Sequence, residues 1–194
     1  MGSLWGIFEA TLGHALHFLP YGFSGMFMMP IGFYFMYNAY KKNEKRSTVI
    51  SVGILAATIK LVDLLLPGRS PMGVINPAAS IILESLLVFV FIKAMDRKQV
   101  FKPAFLLGIL WISAFTLSQA LIFRPASGLY LEPIFTIMIF IALNAIVSAT
   151  LITLYLKKSE LSIWKLELKR TSFALPAATL LIALTLELIN SVVL

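Results

Sequence analysis

Long apolar runs alternate along this chain with short polar breaks. Leu4–Tyr40 is predominantly apolar and is interrupted by Leu19-Pro20-Tyr21-Gly22. A membrane-spanning helix needs about 20 mostly apolar residues, and Pro with Gly marks a turn. Further breaks fall at Lys41–Ser47, Pro67-Gly68-Arg69-Ser70-Pro71, Asp96–Lys102, Arg124-Pro125-Ala126-Ser127-Gly128 and Lys157–Arg170. The pattern predicts spans at about 3–19, 23–40, 48–66, 75–94, 103–123, 131–156 and 172–194. Asn76-Pro77 is expected to open the fourth span, since proline suits the first helical turn. The expected fold is all-α: one polytopic transmembrane bundle of seven spans over residues 1–194. The alternative joins 4–40 into one long helix and gives six.

Charge adds orientation to this pattern. Thirteen of the sixteen Lys and Arg residues lie in Lys41–Arg46, Lys93–Lys102 and Lys157–Arg170. Clustered Lys and Arg in short loops mark the cytoplasmic face. The seven-span reading therefore has its N-terminus in the cytoplasm and its C-terminus outside, while the six-span alternative has both ends outside. Lys157–Arg170 is mildly amphipathic, with Trp164 as a candidate interfacial anchor. The expected location is a cell membrane, as a multi-pass protein of the bacterial inner-membrane kind.

Composition agrees. The chain has 194 residues, 59% hydrophobic and only 13% charged, with mean hydropathy +0.91. Soluble domains carry about 25% charged residues. The net charge of +7 reads as topology rather than nucleic-acid binding, because the cations sit in loops between spans and no basic helix with interleaved aromatics occurs. The absence of cysteine excludes disulfides, thiolate metal sites and cysteine nucleophiles. The first apolar segment lacks a basic n-region and a clear cleavage site, so no cleavable signal peptide is expected.

Ionisable side chains within spans are costly and usually face a protein interior or a wet cavity. Glu84 is the most deeply placed lone carboxylate. It is a candidate ligand-binding or proton-carrying acid, or an acid satisfied by a neighbouring helix. Lys60 and Asp63 are one helical turn apart, which fits either a self-neutralising pair or a ligand site. His14 and His17, also one turn apart, could hold a divalent metal if a third ligand arrived, or could simply hydrogen-bond at the interface. Their spacing forbids opposite axial ligation of one haem. Asn76, Gln119, Tyr130 and Glu132 fall at the outer helix ends, beside Arg69 and Arg124. Each alone is an ordinary capping or interfacial residue; together with Lys60, Asp63, His14 and His17 they make the outer half more polar. Glu187 and Asn190 also lie outward. Asn144, Ser148, Thr150 and Thr153 are expected to bond between helices.

No Gly-x-Ser-x-Gly, Walker A, His-Glu-x-x-His or dinucleotide fingerprint is present. No cofactor and no enzymatic activity are expected, and no nucleotide site exists to power transport by ATP hydrolysis.

The order of elements resembles the membrane-embedded substrate-binding (S) component of an energy-coupling factor (ECF) transporter. The likeness rests on a short first span running into Leu19-Pro20-Tyr21 and a second span with Pro30. It continues with Val52-Gly53-Ile54-Leu55-Ala56-Ala57, then Leu64-Leu65-Leu66-Pro67-Gly68, then Ile75-Asn76-Pro77-Ala78-Ala79-Ser80-Ile81-Ile82-Leu83-Glu84. It covers residues 4–156. A seventh span departs from the commonest six-span pattern, and the small-x-x-x-small signature of the first span is present only as Gly6 with Ala10. The resemblance implies high-affinity binding of a vitamin-like or metal substrate from outside, in a pocket within the outer half. It also implies partners: a transmembrane coupling subunit and ATPases. On this reading the substrate-binding residues are Glu84, Lys60, Asp63, Asn76, His17, Gln119, Glu132 and Arg124, with His14 and His17 as candidate metal ligands. Two competing classes are an integral-membrane enzyme acting on lipids through Glu84, His14 or Asp63, and a non-catalytic scaffold.

Overall fold

Six α-helices organise the residues described by the computed structural model, which are 1–9, 12, 16, 23–65, 70–96, 99–160, 182 and 185. They are α1 (Gly2–Phe8), α2 (Phe23–Asn43), α3 (Ser47–Leu61), α4 (Pro71–Phe91), α5 (Phe101–Ser118) and α6 (Ile134–Glu160). Three of them continue in altered pitch: α3 as a 3₁₀ turn over Val62–Leu65, α4 as a 3₁₀ turn over Ile92–Asp96, and α5 as a π turn over Gln119–Phe123. A 3₁₀ turn at Leu129–Leu131 precedes α6. No strand occurs among the described residues. The turn at 19–22, the amphipathic segment with Trp164, the seventh span apart from residues 182 and 185, Glu187 and Asn190 lie outside them.

Four of these rods are long and apolar enough to cross a membrane: Ser47–Leu65, Pro71–Asp96, Phe101–Phe123 and Ile134–Lys158. Their outward faces are apolar. On α5 and its continuation the exposed residues include Leu106, Leu110, Leu117 and Leu121; on α6 they include Ile134, Phe135, Met138, Ile139, Leu143 and Ile146. Both sets recur at three- and four-residue spacing, which is one stripe of a helix. A water-soluble monomer rarely exposes contiguous apolar surface on this scale, whereas lipid tails cover it without penalty.

The third and fifth spans fall close to their expected limits. The fourth begins earlier than expected, at Pro71, which occupies the first-turn position. Asn76-Pro77 therefore lies inside α4 rather than at its start. The sixth starts at Ile134, with Pro133 accepting from the Ile137 N–H, and runs on through Lys157 and Lys158. Cations in a last turn oppose the partial negative charge of the exposed carbonyls there.

Helix α2 is the centre of the bundle and packs against α1, α3, α4 and α6. Trp5, Met29, Phe33, Met36, Ile81, Val88 and Leu107 fill the core. Small residues let backbones approach closely, as in other membrane bundles. A Cβ at Gly108 of α5 would fall 2.9 Å from the Ala145 Cα of α6, and one at Gly53 of α3 would strike Ser85 of α4. Helix α1 uses the same device within the chain, setting Gly2 against Val52 and Leu55 and Gly6 against Ile59.

Described residues from the three basic stretches, Lys41, Lys102 and Lys157, line one cleft at the same end. Lys41 Nζ lies 2.7 Å from Asp96 Oδ1, and the Tyr37 and Tyr40 hydroxyls donate to the same carboxylate at 3.1 and 3.2 Å. Arg46 donates to the Phe89 carbonyl at 2.6 Å and lies over the Phe89 ring. Where α4 tightens to 3₁₀ geometry, carbonyls of the preceding turn lose their usual donors, and Arg46 supplies one.

Candidate functional site

Glu84 lies near the middle of the rod formed by Pro71–Asp96. At 1.5 Å per residue it is about 20 Å from either end. It is only 3% exposed. Across from it, on the central helix, is Gly32, also near mid-helix. A Cβ at position 32 would strike Glu84 Oε1 and the Trp5 ring. Three helices thus meet here: α1 brings Trp5, α2 brings Gly32, and α4 brings Glu84. Gly32 is required because two large polar-tipped side chains use the space a side chain would fill.

Two polar atoms around Gly32 have no hydrogen-bond partner among the described residues. One is an acceptor, Glu84 Oε1; the other is a donor, Trp5 Nε1. Both are buried. Buried polar groups are nearly always satisfied, and leaving one unmade costs about 1–3 kcal/mol. Glu9, just past α1, is close enough to act electrostatically on Glu84. The arrangement is a buried donor and a buried acceptor, each without a hydrogen-bond partner among the described residues, in the interior of an apolar bundle.

The other sequence-derived candidates fall into separate places. Lys60 and Asp63 form an ion pair at 2.9 Å, with side chains 13% and 2% exposed. Asp63 sits in the 3₁₀ turn that ends α3, so the tightened pitch turns its carboxylate into the bundle and toward Lys60. Asn76 is half-buried, and its Oδ1 has no partner among the described residues. Gln119 is buried where α5 passes into its π turn. Its carbonyl accepts from the Arg124 N–H at 2.7 Å, the five-residue spacing that defines this turn. Arg124 and Glu132 are exposed, and the Tyr130 hydroxyl donates to the Pro125 carbonyl, closing the loop on itself. His14, His17 and Arg69 lie outside the described residues. Among the described residues no group of three His, Cys, Asp or Glu side chains is placed to hold a metal ion.

The polar residues of α6 differ from expectation. Ser148 bonds to Asn144 and Thr150 to the Ile146 carbonyl, both within α6. Asn144 and Ser148 are nonetheless fully buried. A hydroxyl four residues after a carbonyl reaches it without leaving its own helix, so local bonds replaced interhelical ones.

Sequence reasoning missed Trp5 and Gly32 as partners of Glu84, because nothing in an apolar run distinguishes a packing glycine from one facing a carboxylate. It also missed Asp96 as the organiser of the basic end. A signal existed there: Asp96 is the one acidic residue inside Lys93–Lys102.

The fold and these contacts define an all-helical protein with helices suited to a membrane and a buried carboxylate at their centre. Neither a family model, nor a curated protein, nor a solved structure matches the chain significantly.

Proposed function

We propose that this chain is a multi-pass cell-membrane protein, basic end in the cytoplasm, that binds a small solute inside the bundle as the capture component of an uptake transporter. The observation that carries this reading is a pair of buried polar atoms without a hydrogen-bond partner among the described residues, Glu84 Oε1 and Trp5 Nε1, on two side chains that both pack against Gly32. A solute presenting a cationic or N–H group to Glu84 and an acceptor to Trp5 would satisfy both. A vitamin-like amine has that chemistry; a metal ion would find only Glu84 and the nearby Glu9, fewer than three candidate ligands among the described residues. The seven-span count and the outer-half polarity belong to the same proposal, as does dependence on a coupling subunit and separate ATPases in the ECF manner.

The test is a thermal-shift screen of the purified full-length protein against vitamins, nucleobases and divalent metals, run in parallel on Glu84→Gln. A hit at micromolar affinity or tighter that disappears in Glu84→Gln is expected. No hit, together with turnover of lipid in detergent, would replace the proposal with an enzyme acting on lipids.

A further inference from the structure

The basic end contains a cleft that the solute site does not use. Its volume is 1010 Å³, and it opens between α2, the end of α4, the start of α5 and the end of α6. That is the size of pockets that hold drug-sized molecules rather than bare ions. Among the described residues its cations are Lys41, Lys102 and Lys157, and Asp96 is the one acid lining it.

Asp96 is already engaged. It pairs with Lys41 at 2.7 Å and accepts from both Tyr37 and Tyr40. That leaves Lys102 and Lys157, neither of which meets a carboxylate among the described residues. Counting the described lining groups, three lysines against one aspartate leave an excess of two positive charges. Lys102 and Lys157 are exposed, and cations lining one cleft draw an anion into it. A phosphate monoester carries about −1.5 to −2 charge at neutral pH, which matches the excess. Val100 and Phe101 line the same cleft and offer apolar surface for whatever the phosphate is attached to.

We propose that this cleft binds a phosphate-bearing anion, with the phosphate between Lys102 and Lys157 and its attached portion against Val100 and Phe101. The phosphate can come from an anionic phospholipid headgroup or from a soluble phosphate monoester. The inference does not depend on the Glu84 site.

The experiment uses full-length protein in phosphatidylcholine nanodiscs. Binding is measured for phosphatidate doped into the lipid and, separately, for glycerol 3-phosphate in solution. The double variant Lys102→Gln/Lys157→Gln is compared with Lys42→Gln/Lys45→Gln, which removes equal charge from exposed residues of the same end outside the cleft. The cleft variant is expected to weaken binding about thirty-fold, roughly five-fold for each lysine, and the control by less than about two-fold. Phosphatidate binding alone assigns the lipid source, and glycerol 3-phosphate binding assigns the soluble one. The proposal fails if neither probe binds wild-type protein, or if the two double variants weaken binding equally.

Discussion

Glu84 and Asp63 are both buried carboxylates, yet their surroundings give them different roles. Each has one oxygen with no hydrogen-bond partner among the described residues, but the other oxygen of Asp63 has a cation at 2.9 Å, whereas the charged group acting on Glu84 is a second carboxylate, Glu9. Removing one member of a buried ion pair leaves an uncompensated charge, at about 3–5 kcal/mol. Lys60→Ala should therefore lower stability by about 3 kcal/mol, and adding Asp63→Ala should return most of that loss. Equal melting temperatures for wild type and Lys60→Ala would show that the pair is not structural. At Gly32 a methyl group has no space beside Glu84 and Trp5. Gly32→Ala should destabilise by about 1–3 kcal/mol through overpacking and displace one or both polar tips. Unchanged melting and unchanged solute affinity would remove Gly32 from the site.

At the scale of elements, apolar run length located most of the described helices, because a span is long compared with the error in its ends. The third, fifth and sixth spans show this. What run length cannot resolve is pitch. The 3₁₀ turns after α3 and α4 and the π turn after α5 decide where Asp63, Asp96 and Gln119 point. The turn after α4 follows the Phe89 carbonyl, which accepts from Arg46 of another element. Glu84 was legible as a lone mid-span acid; its partners Trp5 and Gly32 come from distant helices and leave no mark in sequence spacing. The π turn ends at Arg124, held in the left-handed region with φ 42 and ψ 52. That region costs an ordinary residue about 1–2 kcal/mol. Arg124→Gly should thus raise stability by about 1 kcal/mol, read as a higher melting temperature, and a lower one would mean that the arginine side chain matters more than its backbone. The ion pair between α2 and Asp96 holds Lys41 above its ordinary value of 10.5, chiefly through the bond to the Asp96 carboxylate. A raised lysine contributes stability fully below its unfolded pKa and loses it as pH rises through the folded one. The basic end should loosen only in strongly alkaline solution, measured as melting temperature against pH, and Asp96→Asn should weaken that dependence without removing it, since the Tyr37 hydroxyl at the same end also titrates in alkali.

For the whole molecule, the basic end and the buried centre make separate demands on topology. Lys41, Arg46, Asp96, Lys102 and Lys157 share one end through direct contacts or a common cleft, and the proposed orientation sets that end in the cytoplasm. A reporter fused after residue 194 should be active only outside the cytoplasm, and one at residue 2 only inside. A cytoplasmic C-terminal reporter would contradict the span count. The central claim is that a solute completes the Glu84–Trp5 pair. A buried polar group left without its partner costs about 1–3 kcal/mol, or roughly five-fold to a hundred-fold in affinity. The most direct measurement is isothermal titration of the best solute into wild type, Glu84→Gln and Trp5→Phe, each first checked for intact folding by its melting temperature. Affinity is expected to be at least about five-fold weaker in Glu84→Gln and measurably weaker in Trp5→Phe. Wild-type affinity in both variants would contradict the central claim.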